Sequence, residues 1–384
     1  MKRKICIIIT TRGNYAKMKS VISKIQESPE LELQTIAAGG ALLPKYGSIV
    51  NSLTDNHIQV DRYIYFLVEG ENPVTMAKSA GLAVTEFSTA FENLNPDLVI
   101  VIADRFECLP VAMVAAYMNI PVAHIEGGEV SGSVDESIRH AITKLSHLHF
   151  PATVQSAERL RKLGEAPETI FTVGSTSLDV ISRLDLDDMS GMITAQKTRG
   201  VGAEVDLSGP YLVVIQHPVT TEYAQNLEHI RHTIEAIHRL KINTVWIWPN
   251  MDAGSDGISK GIRMFRENYQ PDHVHFFKSL PIELFAPLLR NSACMVGNSS
   301  SGIREAGFLG VPSVNIGTRQ SGRERCRNTI DADYDSTRIM AAIRRQMEHG
   351  PYEPDHLYGD GHAGERIVEV LKEAELTIQK RITY

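Results

Sequence analysis

The sequence predicts an α/β protein made of two doubly wound domains facing each other across a cleft. Three observations carry this. Short β-branched runs alternate with helix-length segments, the pattern of parallel βαβ units. The alternation starts afresh after a polar stretch, residues 184–210, rich in Asp, Gly and Ser and poor in strand character. The length of 384 residues, 43% of them hydrophobic, suits two domains with ample apolar material for their cores.

In the first half, strands are expected over 4–10, 32–38, 98–102, 122–125 and 149–152, with helices over 15–27, 73–94 and 110–118. In the second half, strands are expected over 211–216, 244–249, 274–278, 294–297 and 313–316. Helices there should cover 225–240, 257–267, 282–290, 302–309 and 336–346. Residues 184–210 read as a linker or surface excursion that can hold a helix in part. Trp246 and Trp248 alternate in a strand and belong in the core. The expected divisions are a first domain over 1–183 and a second over 184–362. A C-terminal helix and tail, 363–384, is expected to pack back across the domains.

Thirty-nine Lys and Arg against 46 Asp and Glu leave a net charge of −7 and a pI near 6.1. That balance excludes a broad basic face for nucleic acid or an anionic membrane, so any phosphate site must be local. No apolar run approaches the roughly 18 residues of a spanning helix, and the 5–9 stretch is too short for a secretory signal. Four cysteines (Cys6, Cys108, Cys294, Cys326) form no CxxC pair, as expected of a reduced cytoplasmic enzyme without zinc or disulfide framework. His147 and His149 lack a third ligand at metal spacing, so no metal is expected.

Ligands of open α/β sheets bind outside the carboxyl ends of the strands. Every chemically rich cluster here falls at such an end. After the first strand comes TTRGNYAK (10–17), where Arg12 and Lys17 can supply charge to an anion at a helix N-terminus. This is neither GxGxxG nor a Walker sequence, and a solvated basic turn fits it equally. After the strand at 98–102 stands Asp104-Arg105, where the Asp has three roles open: orienting a sugar, acting as a base, or capping a helix. The stretch HIEGGEVSGSVDESIRH (124–140) gathers Glu126, Glu129, Asp135 and Glu136 around a glycine loop. Such crowding can separate acid from base roles, while Ser133 or Asp135 can equally cap a helix. His217 ends the first strand of the second half, where a general acid or base is useful. GNSSSGIRE (297–305) runs from strand through Ser loop to helix, with N–H groups and hydroxyls suited to a pyrophosphate. Glu305, one turn into that helix, is placed for ribose hydroxyls. Arg319 follows the next strand and offers a fork to phosphate oxygens.

Taken together these clusters resemble the hydrolysing UDP-N-acetylglucosamine 2-epimerases of sialic-acid biosynthesis, including the epimerase half of the bifunctional animal enzyme. The likeness runs from Lys4 to about Ile367 and rests on HIEGGEVSGSVDESIRHAITKLSHLH (124–149), QHPVTTE (216–222), PNMDAGS (249–255), GNSSSGIREAG (297–307) and NIGTRQSGRE (315–324). It implies a GT-B fold of two Rossmann-like domains, with UDP held mainly by the second. It implies UDP contacts from Arg12, Arg105, Ser299, Ser300, Glu305 and Arg319, with Gly174 near the nucleotide. It implies a catalytic constellation of Asp104, Glu126, Asp135 and His217, and a homodimer or homotetramer. Several positions depart from the family pattern: Ile102-Ala103 replaces a common His-Gly pair, Gly39-Gly40-Ala41 lacks a usual His, and Asn14 and Ala16 replace an acidic residue and a serine.

The chemistry so implied eliminates UDP to a 2-acetamidoglucal and hydrates it to N-acetylmannosamine. It needs no redox cofactor, because C2 is never oxidised. UDP-N,N′-diacetylbacillosamine as substrate and a non-hydrolysing epimerase are the alternatives within the resemblance. A glycosyltransferase and a non-catalytic nucleotide-sugar sensor are those outside it.

Overall fold

A computed structural model describes residues 2–44, 49–70, 72–250 and 252–383. The chain divides into two units: the first holds Met1–Glu129, Val134–Ser182 and Tyr358–Tyr384, the second Val130–Ser133 and Arg183–Leu357.

In the first unit β1 (Arg3–Ile9), α1 (Arg12–Glu27), β2 (Leu31–Ala38), α2 (Val50–Asp55), β3 (Arg62–Ile64), α3 (Pro73–Leu94) and β4 (Leu98–Ile102) follow one another. They are succeeded by α4 (Cys108–Tyr117), β5 (Val122–Ile125), α5 (Asp135–Leu145), β6 (Leu148–Phe150), α6 (Val154–Lys162) and α7 (Ser177–Ile181). The sheet is parallel in the order β3-β2-β1-β4-β5-β6. Alternate residues of β1 point to opposite faces and are buried on both. Ile5, Ile7 and Ile9 meet Met18 and Val21 of α1, while Cys6 and Ile8 join Phe87 and Val111 of α3 and α4. That two-sided burial is why the strand reads as an unbroken apolar run rather than an alternation.

The second unit holds α8 (Ser190–Thr198), β7 (Val201–Gly202), β8 (Tyr211–Ile215), α9 (Asn226–Leu240), β9 (Asn243–Ile247), α10 (Ser255–Tyr269) and β10 (Val274–Phe277). Next come α11 (Ile282–Arg290), β11 (Cys294–Gly297), α12 (Glu305–Leu309), β12 (Ser313–Ile316), β13 (Thr329–Ala332) and α13 (Ser336–His349). Its sheet order is β13-β12-β11-β8-β9-β10-β7, parallel except for the antiparallel edge strand β7. Trp246 packs with Phe265 and Phe276 in the core, and Trp248 lies at its margin.

The last helix, α14 (Ala363–Glu373), packs on α1, and the Asp179 carboxylate accepts from its first amides, Ala363 at 2.9 Å and Gly364 at 2.6 Å. Beyond it the tail returns to α5. Lys380 Nζ donates to the carbonyls of Thr143 (2.9 Å), Lys144 (3.2 Å) and Ser146 (2.6 Å) and pairs with Glu165. Among the described residues no helix is long and apolar enough to cross a membrane.

Strand order reverses once in each sheet, between β1 and β4 in the first and between β8 and β11 in the second. At such a reversal the connections diverge to opposite faces and open a crevice above the strand ends. The local pattern did not expect β3, β7 or β13, which are short and at sheet edges, β3 and β7 largely exposed and β13 half-buried. The stretch 184–210 contains α8 and β7. The helix expected from Gly302 begins at Glu305, after a 3₁₀ turn over Ser300–Gly302, and has 5 residues.

Candidate active site

Above the first unit's switch point, the ends of β4 and β5 are in register: Ile102 pairs with Ile125, and the Ala103 amide donates to the Ile125 carbonyl at 2.8 Å. The next residues along both strands leave the extended region. Ala103 has φ 63° and Glu126 φ 61°. Neither is glycine or asparagine, and each such left-handed residue costs roughly 1–2 kcal/mol. Backbone strain at two adjacent strand ends marks a place where the surrounding contacts over-determine the chain. Ala103 is also where the family resemblance expects glycine, which adopts this conformation without cost.

Asp104 follows. It does not cap α4, which begins at Cys108 with Glu107 at its N-cap, so the capping role considered from sequence is not the one seen. Its carboxylate pairs with the guanidinium of Arg139, which is 1% exposed and donates through Nη1 to the Glu129 carbonyl at 2.8 Å. Burial by itself would weaken Arg139's hold on its proton. The carboxylates of Asp104 and Glu129 outweigh that and raise its pKa above the usual value. Asp135 opens α5 as its first residue; the N-cap is Val134, so neither Ser133 nor Asp135 caps it. Asp135, Arg139 and Thr143 recur at four-residue spacing and share one face of this helix.

Glu126 is fully buried. Lys17 Nζ lies 2.6 Å from its Oε2, and Ser175 Oγ donates to Oε1 at 2.8 Å. Ser175 reaches that position through the turn at Gly174, whose φ is 94° and where a Cβ would sit 3.0 Å from the Gly359 Cα. Lys17, expected from sequence to meet an anion, is thus paired with a carboxylate of its own unit. Arg105 likewise donates from Nη2 to the buried Glu107 at 2.9 Å. Arg12 begins α1, whose N-cap Thr11 accepts from the Asn14 amide at 3.1 Å.

In the second unit the switch point brings β8 and β11 side by side, and Asn298 clamps His217. The Asn298 side chain accepts from the His217 amide (2.7 Å) and donates to its carbonyl (2.9 Å). His217 Nδ1 accepts from the Asn250 amide at 3.2 Å, so in the neutral ring Nε2 carries the hydrogen. The Asn298 carbonyl accepts from Gln320 Nε2 (2.8 Å) and Arg319 Nη1 (3.4 Å). Asn298 therefore links His217 to Arg319, a role the sequence reading had not assigned. Its one local signal is an amide side chain directly after a strand end.

Ser299 caps the turn that follows, accepting from the Ser301 amide at 3.3 Å. The amides of Gly302, Ile303 and Arg304 are also spent inside this turn. The expected row of open helix amides is therefore largely consumed, and the amides of Ser299 and Ser300 take no part in those turn bonds. Glu305 is buried with no hydrogen-bond partner for Oε2, an acceptor ready for a hydroxyl. Residues 130–133 belong to this unit as well: the Gly132 amide donates to the Arg319 carbonyl at 3.1 Å, and any Cβ there would strike the Thr318 carbonyl.

The family described as UDP-N-acetylglucosamine 2-epimerase matches residues 23–372. The UDP-N-acetylglucosamine 2-epimerase of Neisseria meningitidis serogroup B is 35% identical over 387 residues, covering 99% of this chain and 98% of that protein. The UDP-N,N′-diacetylbacillosamine 2-epimerase (hydrolyzing) of Legionella pneumophila is 35% identical over 382 residues, with the same coverages of 99% and 98%. Among solved structures, a Neisseria meningitidis UDP-GlcNAc 2-epimerase bound to UDP-GlcNAc aligns with a TM-score of 0.79 at 18% identity, over 97% of this chain and 100% of that one. At that identity the likeness speaks to the fold: two Rossmann-like α/β units of the GT-B class. By sequence over nearly its full length, the chain belongs to the UDP-N-acetylglucosamine 2-epimerase family.

Proposed function

We propose that the chain is a hydrolysing UDP-N-acetylglucosamine 2-epimerase, releasing UDP and N-acetylmannosamine for nonulosonic (sialic) acid synthesis. The observation that carries this reading is the pair of carboxylates at neighbouring strand ends. Asp104 and Glu126 each follow or occupy a left-handed residue, and each is anchored by its own cation, Arg139 or Lys17. Elimination and re-addition of a proton on opposite faces of C2 needs two proton-transfer groups in fixed places.

In the first step a base takes the C2 proton, the C2–H electron pair forms the C1=C2 bond, and the C1–O bond breaks with its electrons leaving on UDP. This is an anti-type elimination. In the second step the C1=C2 electron pair takes up a proton at C2 from the other face, while water oxygen bonds to C1 and gives one of its protons to a base. Asp104, Glu126, Asp135 and His217 are the proton-transfer candidates, with His217 presenting Nε2. Arg12, Arg105, Arg319 and the Ser299–Ser300 turn are assigned to the developing diphosphate charge, and Glu305 to ribose hydroxyls. The assignment carries with it a cytoplasmic homodimer or homotetramer.

Reaction of UDP-GlcNAc in deuterated water tests the reading. Free UDP with N-acetylmannosamine bearing one deuterium at C2 is expected. UDP-N-acetylmannosamine as sole product would overturn hydrolysis, and retention of the original hydrogen would overturn the elimination. UDP-N,N′-diacetylbacillosamine is the second reading, favoured by the equally similar Legionella relative. Side-by-side kcat/KM values on the two nucleotide sugars decide between them.

A further inference from the structure

His124 lies on β5 with its ring fully buried, and the sequence alone assigns it no role. Nε2 sits 2.8 Å from the Ala103 carbonyl oxygen and Nδ1 3.1 Å from Thr143 Oγ1. A carbonyl only accepts, so Nε2 carries the hydrogen and Nδ1 accepts from the Thr143 hydroxyl. Burial pushes the ring's pKa down to about 3, so it stays neutral at physiological pH. Its two bonds are therefore fixed in direction.

The acceptor is informative. The Ala103 carbonyl shares a rigid peptide plane with the Asp104 amide, so whatever orients one orients the other. That plane follows a residue at φ 63°, a conformation an alanine gives up readily when nothing holds it. One face of α5 holds both sides of Asp104: Arg139 takes the carboxylate, and Thr143, one turn on, anchors the ring that grips the backbone.

We propose that His124 is a positioning residue: its bond to the Ala103 carbonyl locks the left-handed turn that aims Asp104. This rests on the assignment of Asp104 to proton transfer. His124 itself neither touches substrate nor exchanges a proton.

Three substitutions test it. His124→Phe keeps a ring and removes the donor, His124→Gln restores an N–H at about the same reach, and Ala103→Gly makes the left-handed turn free of strain. His124→Phe should lower kcat about 10- to 100-fold, with KM and UDP affinity moving less than about twofold. His124→Gln should recover much of that loss. In the Ala103→Gly background the His124→Phe penalty should shrink, because glycine holds the turn without help. Equal penalties in the two backgrounds, or a folded His124→Phe protein with unchanged kcat, would overturn the proposal. If His124→Phe fails to fold, His124→Asn, whose amide falls short of Ala103, takes its place beside His124→Gln. Equal activity of those two would count against the bond. If the unaltered protein releases UDP from neither nucleotide sugar, the proposed function fails. The coupling is then read from the thermal midpoints of the unaltered protein, His124→Phe, Ala103→Gly and the variant carrying both: non-additive shifts sustain the His124–Ala103 link, and additive ones overturn it.

Discussion

Asp104 is held from two directions, its carboxylate by Arg139 and its backbone through Ala103 and His124. Replacing it by Asn keeps the shape and removes the charge. Turnover should fall by about 10²- to 10⁴-fold with an unchanged far-ultraviolet circular dichroism spectrum. The urea midpoint should fall too, because a buried guanidinium loses its counter-charge. His217 is held differently. Asn298 grips its backbone, and ring Nδ1 accepts from the Asn250 amide. His217→Ala should cost a comparable factor in turnover, and about 1 kcal/mol in stability for the lost bond to Asn250. A pair of variants that both left kcat unchanged would discredit the constellation. Arg139 shows why some of the site was invisible from sequence: an arginine on a helix between Glu136 and His140 looks like a solvated charge. Its burial depends on Asp104, 35 residues earlier in the chain.

At the scale of elements, α5 carries the most. Its first turn holds Asp135 and Glu136, favourable near the positive end of the helix dipole, and its last carbonyls face the ammonium of Lys380. Lys380→Met keeps the aliphatic stem and removes the charge. It should lower stability by about 1–3 kcal/mol, read as a shifted urea midpoint. Acid should loosen the same region. Burial alone would raise the pKa of Glu165, but its bonds to His149, Lys144 and Lys380 hold it down to about 2, against an ordinary 4.5. A lowered carboxylate stabilises the fold above pH 4.5, and that contribution is lost as pH falls from 4.5 towards 2. His124 acts in the same sense over a higher window: folding must keep it neutral, so its penalty grows as pH falls from 6.5 towards 3. The urea midpoint should be flat near neutrality, decline below about pH 6.5 and steepen below about 4.5. The steeper limb should soften in Lys380→Met.

For the whole molecule, the chain's route matters as much as its elements. Val130–Ser133 packs in the second unit although β5 and α5, on either side in sequence, belong to the first. Gly132→Val should clash with the Thr318 carbonyl, displace the Thr318–Arg319 turn and lower both the thermal midpoint and UDP affinity. Arg319→Ala should weaken UDP about 10- to 100-fold in titration calorimetry without the loss of stability. An unaltered UDP affinity would remove Arg319 from the phosphate site. Long apolar strands such as β1, β4 and β8 were legible because burial on both faces leaves an uninterrupted run, and the clusters at their ends followed from strand direction. The sequence by itself thus determined the α/β class, the two sheets' central strands and, through five motifs, the family. Only tertiary structure decided the edge strands, the split of the glycine loop and the partners of each site residue. His217 meets Asn298 across 81 residues and Lys380 meets Thr143 across 237. Hydropathy and spacing report a residue's nearest neighbours along the chain, whereas these bonds exist only once distant segments have been folded together.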